Sequence, residues 1–234
     1  VREVTPKRPG TSPLNYFIAL SERIRIWLRD SDNLILVVLI LIHLLPIWMF
    51  KYFPSQDGPA HLDSANIIHE YFQSGNDAIH KYYVINDKLN PNWTGHLIMA
   101  VLMFFVSPLV AEKILLSGYI ILLPVSIYYA LRVIHINSKF LIVLAFPFIY
   151  NFMFHMGFYN FSYSLPMFFF VIGYWLKYKS SFTLSNFAIF ALLSLLLYFS
   201  HLSSFVLACV AVVILATWFM FFDLFQDLQK KKLI

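Results

Sequence analysis

The length of its apolar runs constrains this chain more than any single motif does. Stretches at 34–53, 114–131, 140–154, 161–176, 182–199 and 202–222 are almost free of charge, and each is bounded by charged residues, proline or a polar cluster. A helix needs about 20 mostly apolar residues to cross about 30 Å of hydrocarbon, and helices inside a bundle can be shorter. Hydrophobic residues make up 60% of the 234 and charged residues only 12%, so most of the chain belongs in lipid and not in a water-soluble core. The expected fold class is all-α: a polytopic transmembrane helix bundle of about six spans, with a long outer loop of surface helices after the first. The run at 140–154 is the shortest and contains Asn151.

The segment 94–107 decides the topology. It is apolar but only about 21 Å long as a helix, and Pro108 ends it. Lys and Arg close to spans favour the cytoplasmic side, and Arg2, Lys7, Arg8, Arg23, Arg25 and Arg29 place the N-terminus there. If 94–107 crosses the membrane, then Arg132, Lys139, Lys177, Lys179, Lys230, Lys231 and Lys232 all fall outside. If it lies on the outer surface as a half-helix, all of them fall inside, and this second arrangement is expected, with both termini cytoplasmic. The outer face then receives the loop 54–92, the half-helix and the turns at 155–160 and 200–204. His61, His69, His80, His96, His155 and His201 lie on that side with Asp57, Asp63, Glu70, Asp77, Asp87 and Glu112, so chemistry or binding is expected there.

Residues 1–33 read as a cytoplasmic linker with Pro6, Pro9, Gly10 and Pro13, followed by a segment in which Phe17, Ile18, Ile24, Ile26, Trp27 and Leu28 interleave with Ser21, Arg23, Arg25 and Arg29. That segment is either an interfacial amphipathic helix on anionic lipid or an ordinary lead-in to the first span. Its long basic region and the absence of a small-residue cleavage site argue against a signal peptide. Residues 34–222 form the membrane module, with 54–113 as outer loop and half-helices, and 223–234 form a basic cytoplasmic tail. The lone Cys209 excludes an intrachain disulfide and is expected as a buried packing residue.

No Cys/His metal spacing, Gly-rich phosphate loop, Gly-x-Ser-x-Gly elbow or zincin motif is present, and no internal repeat points to a transporter. The net charge of +5 sits on the inner face and the flanks, which fits contact with membrane lipid and not nucleic acid.

In the outer loop, Asp57 is suited to cap a helix that starts at Pro59 and stops at Ser74-Gly75-Asn76. Asp57 and His61 lie one turn apart, on a stripe distinct from the apolar positions Leu62, Ile67, Ile68, Tyr71 and Phe72 that suit a helix lying on the membrane. Asp57 is thus either a cap or an acid–base group. A second surface helix is expected at 77–84, with His69 and His80 solvated. A divalent metal between Asp57 and His61 would have too few ligands to define a site, so no metal residues are assigned and the cofactor is left open.

The motifs Gln56-Asp57-Gly58-Pro59-Ala60-His61-Leu62, Ala111-Glu112-Lys113, Gly157-Phe158-Tyr159-Asn160-Phe161 and Tyr198-Phe199-Ser200-His201-Leu202 are similar to segments of multispanning bacterial proteins of GT-C type. With the order of span, long outer loop, half-helix and bundle, residues 34–222 resemble the N-terminal module of GT-C membrane glycosyltransferases. The resemblance implies an integral protein of the bacterial inner membrane that moves a sugar from a polyprenyl-phosphate donor to an acceptor on the outer face, in cell-envelope assembly. It implies that Asp57 is the catalytic carboxylate, acting as base or helping to hold a metal, and that His61, Lys113, His155, Asn160 and His201 bind substrate, Lys113 as the one fully charged cation. Where many members carry a second acidic residue in the next outer turn, this chain has His155-Met156-Gly157-Phe158-Tyr159-Asn160. The alternative is a non-catalytic structural subunit of a larger membrane complex that retains the scaffold, packing its many aromatic side chains on partner subunits.

Overall fold

The computed structural model describes residues 13–231, apart from 29, 74, 76, 87 and 135–138, and is all-helical, with no strand among the described residues. Of the N-terminal linker expected up to Pro13, residues 1–12 lie outside the described residues, as do Arg29, Asp87 and Lys232. The helices are α1 (Pro13–Leu28), α2 (Ser31–Met49), α3 (Gly58–Tyr71), α4 (Asp77–Tyr82), α5 (Thr94–Leu102), α6 (Pro108–Ile134), α7 (Phe152–His155), α8 (Tyr159–Tyr178), α9 (Leu184–Ser200) and α10 (Leu202–Lys231). A 3₁₀ helix at Lys139–Phe148 lies between α6 and α7.

The bundle is organised on α6 and α8, which run parallel. Tyr159, at the start of α8, donates to Glu112 Oε1 near the start of α6 over 2.6 Å, and Tyr163 Oη donates to the Leu115 carbonyl over 2.6 Å. Gly173, near the end of α8, lies against Tyr129 and Ala130, near the end of α6. α2 runs antiparallel to α6: Trp48 Nε1 donates to Ser117 Oγ at 3.0 Å and Lys113 Nζ to the Phe50 carbonyl at 2.6 Å. Ile47, Met99, Leu115, Leu116, Tyr119, Ile120 and Phe154 fill the main core between them. A smaller cluster of Val171, Leu197 and Ala208 joins α8, α9 and α10, supported by the Ser164–Ser204 hydroxyl pair at 2.6 Å.

The half-helix expected at 94–107 is present in shortened form. α5 is nine residues long, about 14 Å, and turns at 103–106 before Pro108 starts α6. The Gly95 amide, in its first turn, donates to Asn160 Oδ1 at 2.7 Å, while Glu112 at the start of α6 reaches Tyr159 beside it. α5 therefore leaves from and returns to the same end of the bundle. The loop 54–58, residues 88–93, α7 and the α9–α10 junction gather at this end, and Arg132 and Lys177 lie together at the opposite end.

Two helices among the described residues, Pro108–Ile134 and Leu202–Asp223, are long and apolar enough to cross a membrane. Asn33–Met49 and Leu184–Ser200 are apolar but shorter. α8 spends its first turns on buried Asn160, Ser162 and Ser164. The run at 140–154 is not one α-helix, because Pro147 lacks an amide proton and Asn151 Oδ1 accepts from the Phe154 amide at 3.0 Å, starting α7 anew. The 3₁₀ rise of about 2.0 Å per residue still carries its ten residues about 20 Å along the bundle. Cys209 is exposed on α10 and not a buried packing residue. His69 is buried and not solvated, since α3 packs on α5 and sets its ring edge-on to Phe104 at 4.4 Å. The second surface helix ends at Tyr82.

Gly118 sets how closely α6 and α8 approach, because a Cβ there would meet Tyr163 Oη at 2.3 Å. Gly118→Ala is expected to destabilise the fold by about 1 kcal/mol net, overpacking of about 1–3 kcal/mol exceeding a helix-propensity gain of about 1 kcal/mol. In a Tyr163→Phe background the nearest remaining ring atom is 3.5 Å away, and the same change becomes neutral or stabilising. Thermal unfolding of the four proteins of this cycle measures the reversal.

Candidate functional site

The loop before α3 is held by the turn between α7 and α8. The amides of Gln56 and Asp57 donate to the carbonyls of His155 and Met156 at 3.1 and 3.0 Å. This close approach requires glycine twice. Gly157 has φ +85°, and a Cβ on it would stand 2.6 Å from the Gly58 nitrogen. A Cβ on Gly58 would collide with Ser55 Oγ at 2.0 Å and Tyr159 Oη at 2.3 Å. Behind Gly58 runs a hydrogen-bond chain in which Tyr159 Oη, 2.9 Å from Ser55 Oγ, donates to the buried Glu112. The loop is thereby fixed from both sides.

Asp57 occupies the N-cap position of α3, but its side chain makes no capping bond, because its backbone is already in the helical region, at φ −96° and ψ −3°. Asp57 therefore does not act as a side-chain cap. Asp57 instead lines a cavity of about 530 Å³ with His61, Asn92, His96, Met153, Phe158, Asn160, Phe161, His201 and Ser203. Met153, Phe158 and Phe161 make one wall apolar, while the remaining residues offer hydrogen-bonding groups.

The imidazoles are ordered by donor–acceptor logic. His96 Nδ1 lies 3.1 Å from the Asn92 carbonyl, which can only accept, so neutral His96 carries its proton there and presents Nε2 as an acceptor. His61 Nδ1, 2.8 Å from that Nε2, is then the donor, and neutral His61 keeps an unprotonated Nε2. Asn92 itself has φ +67°, and its carbonyl also accepts from Asn160 Nδ2 at 2.8 Å. Asn160 Oδ1 holds the Gly95 amide, so this one side chain fixes both the turn and the start of α5.

Burial and, secondarily, the neighbouring His96 push the His61 pKa down, with Asp57 opposing. Burial pushes His96 down against the Asn92 hydrogen bond, and burial lowers His201 as well. The cavity is therefore set for neutral imidazoles at pH 7. Among the described residues no group of three or more His, Cys, Asp or Glu is arranged to hold a metal.

Of the residues singled out in the sequence, Asp57, His61, Asn160 and His201 come together in this cavity, and Lys113 and His155 do not. Lys113 is turned to α2, its Nζ bonded to the Phe50 carbonyl and 5.6 Å from the Trp48 ring. His155 stacks on Phe53, with ring centres 5.7 Å apart. Neighbours on a helix point about 100° apart, and it is Glu112, not Lys113, that faces inward. The sequence reading assigned no role to Asn92, His96, Ser203 or the Glu112–Tyr159 pair. The Asn90-Pro91-Asn92 turn one helical turn before His96 is the signal that could have found the first two.

Comparison with known families, curated proteins and solved structures finds no match to this chain. The arrangement itself thus carries the functional argument.

With folded-state pKa values below the ordinary 6.5, the unfolded chain takes up these protons first. Stability is therefore expected to fall as pH drops through about 6.5 and to be fully present above it. His96→Asn should flatten this slope in thermal melts between about pH 5 and 8, since it removes one of the shifted groups and lightens the penalty on His61.

Proposed function

We propose that this chain is an integral membrane protein whose six apolar segments span the bilayer, with the cavity end outside and Arg132 and Lys177 inside. The cavity is the site of a GT-C-like glycosyl transfer from a polyprenyl-phosphate sugar. The observation that carries the reading is Asp57: a carboxylate released from capping duty, on the wall of a mostly apolar cavity among ordered imidazoles. In this mechanism Asp57 takes the proton of an acceptor hydroxyl as its oxygen attacks the anomeric carbon, and the bond from that carbon to the phosphate oxygen breaks. The polyprenyl phosphate departs with the electron pair and needs little protonation. His61 Nε2 accepts a hydrogen bond from the sugar or acceptor, while His201 and Ser203 offer donors to the phosphate. Asn160 is a positioning residue, acting through Asn92 and His96. Met153, Phe158 and Phe161 suit the first isoprene units.

A second reading, a non-catalytic subunit of a membrane complex, is favoured by two observations. The described residues lining the cavity include no Lys or Arg to meet a phosphate, and Leu202–Asp223 of α10 is apolar yet little buried.

Asp57→Asn is expected to lower transfer of a radiolabelled sugar by about 10²–10⁴, the usual effect of losing a general base. Because no capping bond exists to lose, both Asp57→Asn and Asp57→Ala should leave stability within about 0.5 kcal/mol of the parent. Full transfer by the Asn variant would remove Asp57 from the mechanism, and no transfer by the parent with any polyprenyl-phosphate sugar would favour the subunit. For sidedness, a cysteine at Ser180 in a Cys209→Ala background should be labelled only from the cytoplasmic side, and one at Tyr83 only from outside.

A further inference from the structure

At the end of the bundle opposite the histidine cavity, α6 and α8 finish together around a second hollow of about 520 Å³, lined by Tyr129, Arg132, Val133, Leu176 and Lys177. We infer that this hollow binds the phosphate headgroup of an anionic glycerophospholipid. The inference rests on the membrane placement proposed above and is independent of glycosyl transfer.

Three features of the hollow point to that ligand. The first is its construction. Gly173 lets the Tyr129 ring lie directly on α8, since a Cβ there would stand 2.9 Å from Tyr129 Cε1, and the last turns of the two helices beyond this contact flank the open space. The second is unspent charge. Among the described residues neither Arg132 nor Lys177 has a carboxylate partner, and each only grazes its own helix's aromatic ring, Arg132 at 5.6 Å from Tyr128 and Lys177 at 5.1 Å from Tyr178. Lys179 differs, because its Nζ sits 3.4 Å from the centre of the Phe219 ring and braces α8 on α10. The third is the mixture of walls. A guanidinium fork, an ammonium and the Tyr129 hydroxyl suit phosphate oxygens, while Val133 and Leu176 suit the first methylenes of the lipid. Free phosphate would use the cations alone. An acidic peptide would leave the apolar walls unmatched. A basic hollow between helix ends, at the cytoplasmic level of a bilayer, is where headgroup phosphates lie.

The test is native mass spectrometry of the whole chain, extracted in detergent and titrated with phosphatidylglycerol or phosphatidylcholine of equal chain length. The two cations predict a preference for phosphatidylglycerol of about tenfold to thirtyfold. Arg132→Gln with Lys177→Gln should abolish it, and Arg132→Lys, which keeps charge and fold but loses the fork, should lower it. Lys179→Gln should leave it intact. Inorganic phosphate should fail to displace the lipid, and polyprenyl phosphate should compete poorly because it lacks the glycerol backbone that spans both walls. Equal binding of the two lipids, an unchanged preference in the double variant, or full displacement by inorganic phosphate would overturn the site. Recovery of the chain in soluble form without detergent would overturn the membrane reading instead.

Discussion

The contact of α6 with α8 is the constraint on which the other parts of the structure depend. Two buried hydrogen bonds, Tyr159 to Glu112 and Tyr163 to the Leu115 carbonyl, fix the register of these parallel helices, and glycines at 118 and 173 leave room for the Tyr163 hydroxyl and the Tyr129 ring between them. In an apolar surrounding a polar group without a partner is costly, so each bond also excludes the registers in which it would be broken. A slip of one residue would leave the buried Glu112 carboxylate without its donor.

The cavity inherits its geometry from that register. Tyr159 is both the donor to Glu112 and, through Ser55, the back wall of the loop that carries Asp57. The next residue, Asn160, holds α5 and the Asn92 carbonyl, and the Asn92 carbonyl orders His96 and then His61. Consecutive residues at the start of α8 therefore address the carboxylate side and the imidazole side of one site. Asp57 can remain free of a capping role because the Gln56 and Asp57 amides are already tied to the α7–α8 turn.

Much of the fold was legible because its signals are local. Apolar run lengths located the main helices, Pro108 marked the start of α6 although the half-helix ends earlier, at Leu102, and the sorting of basic residues anticipated that α5 returns to the end it left. The break at 147–151 was harder to read, since Pro147 and Asn151 compete with a strongly apolar run and only the Asn151 cap decides the outcome. Burial of His69 was not legible at all, since it depends on Phe104, brought beside it by the packing of α3 on α5.

By itself the sequence determined that this chain is helical and apolar, that one end of its bundle is rich in histidine and carboxylate while the other is basic, and that Asp57 and His61 share a helical stripe. These follow from composition, from the 3.6-residue period and from the sorting of basic residues about the apolar runs, all of which are read along the chain without its packing. Tertiary structure alone decided that Glu112 and not Lys113 faces inward, that His155 stacks away from the cavity, and that Asn160, Asn92, His96 and His61 form one hydrogen-bonded series. Those outcomes depend on groups tens of residues apart being brought within about 3 Å of each other, and only the packed bundle sets such distances.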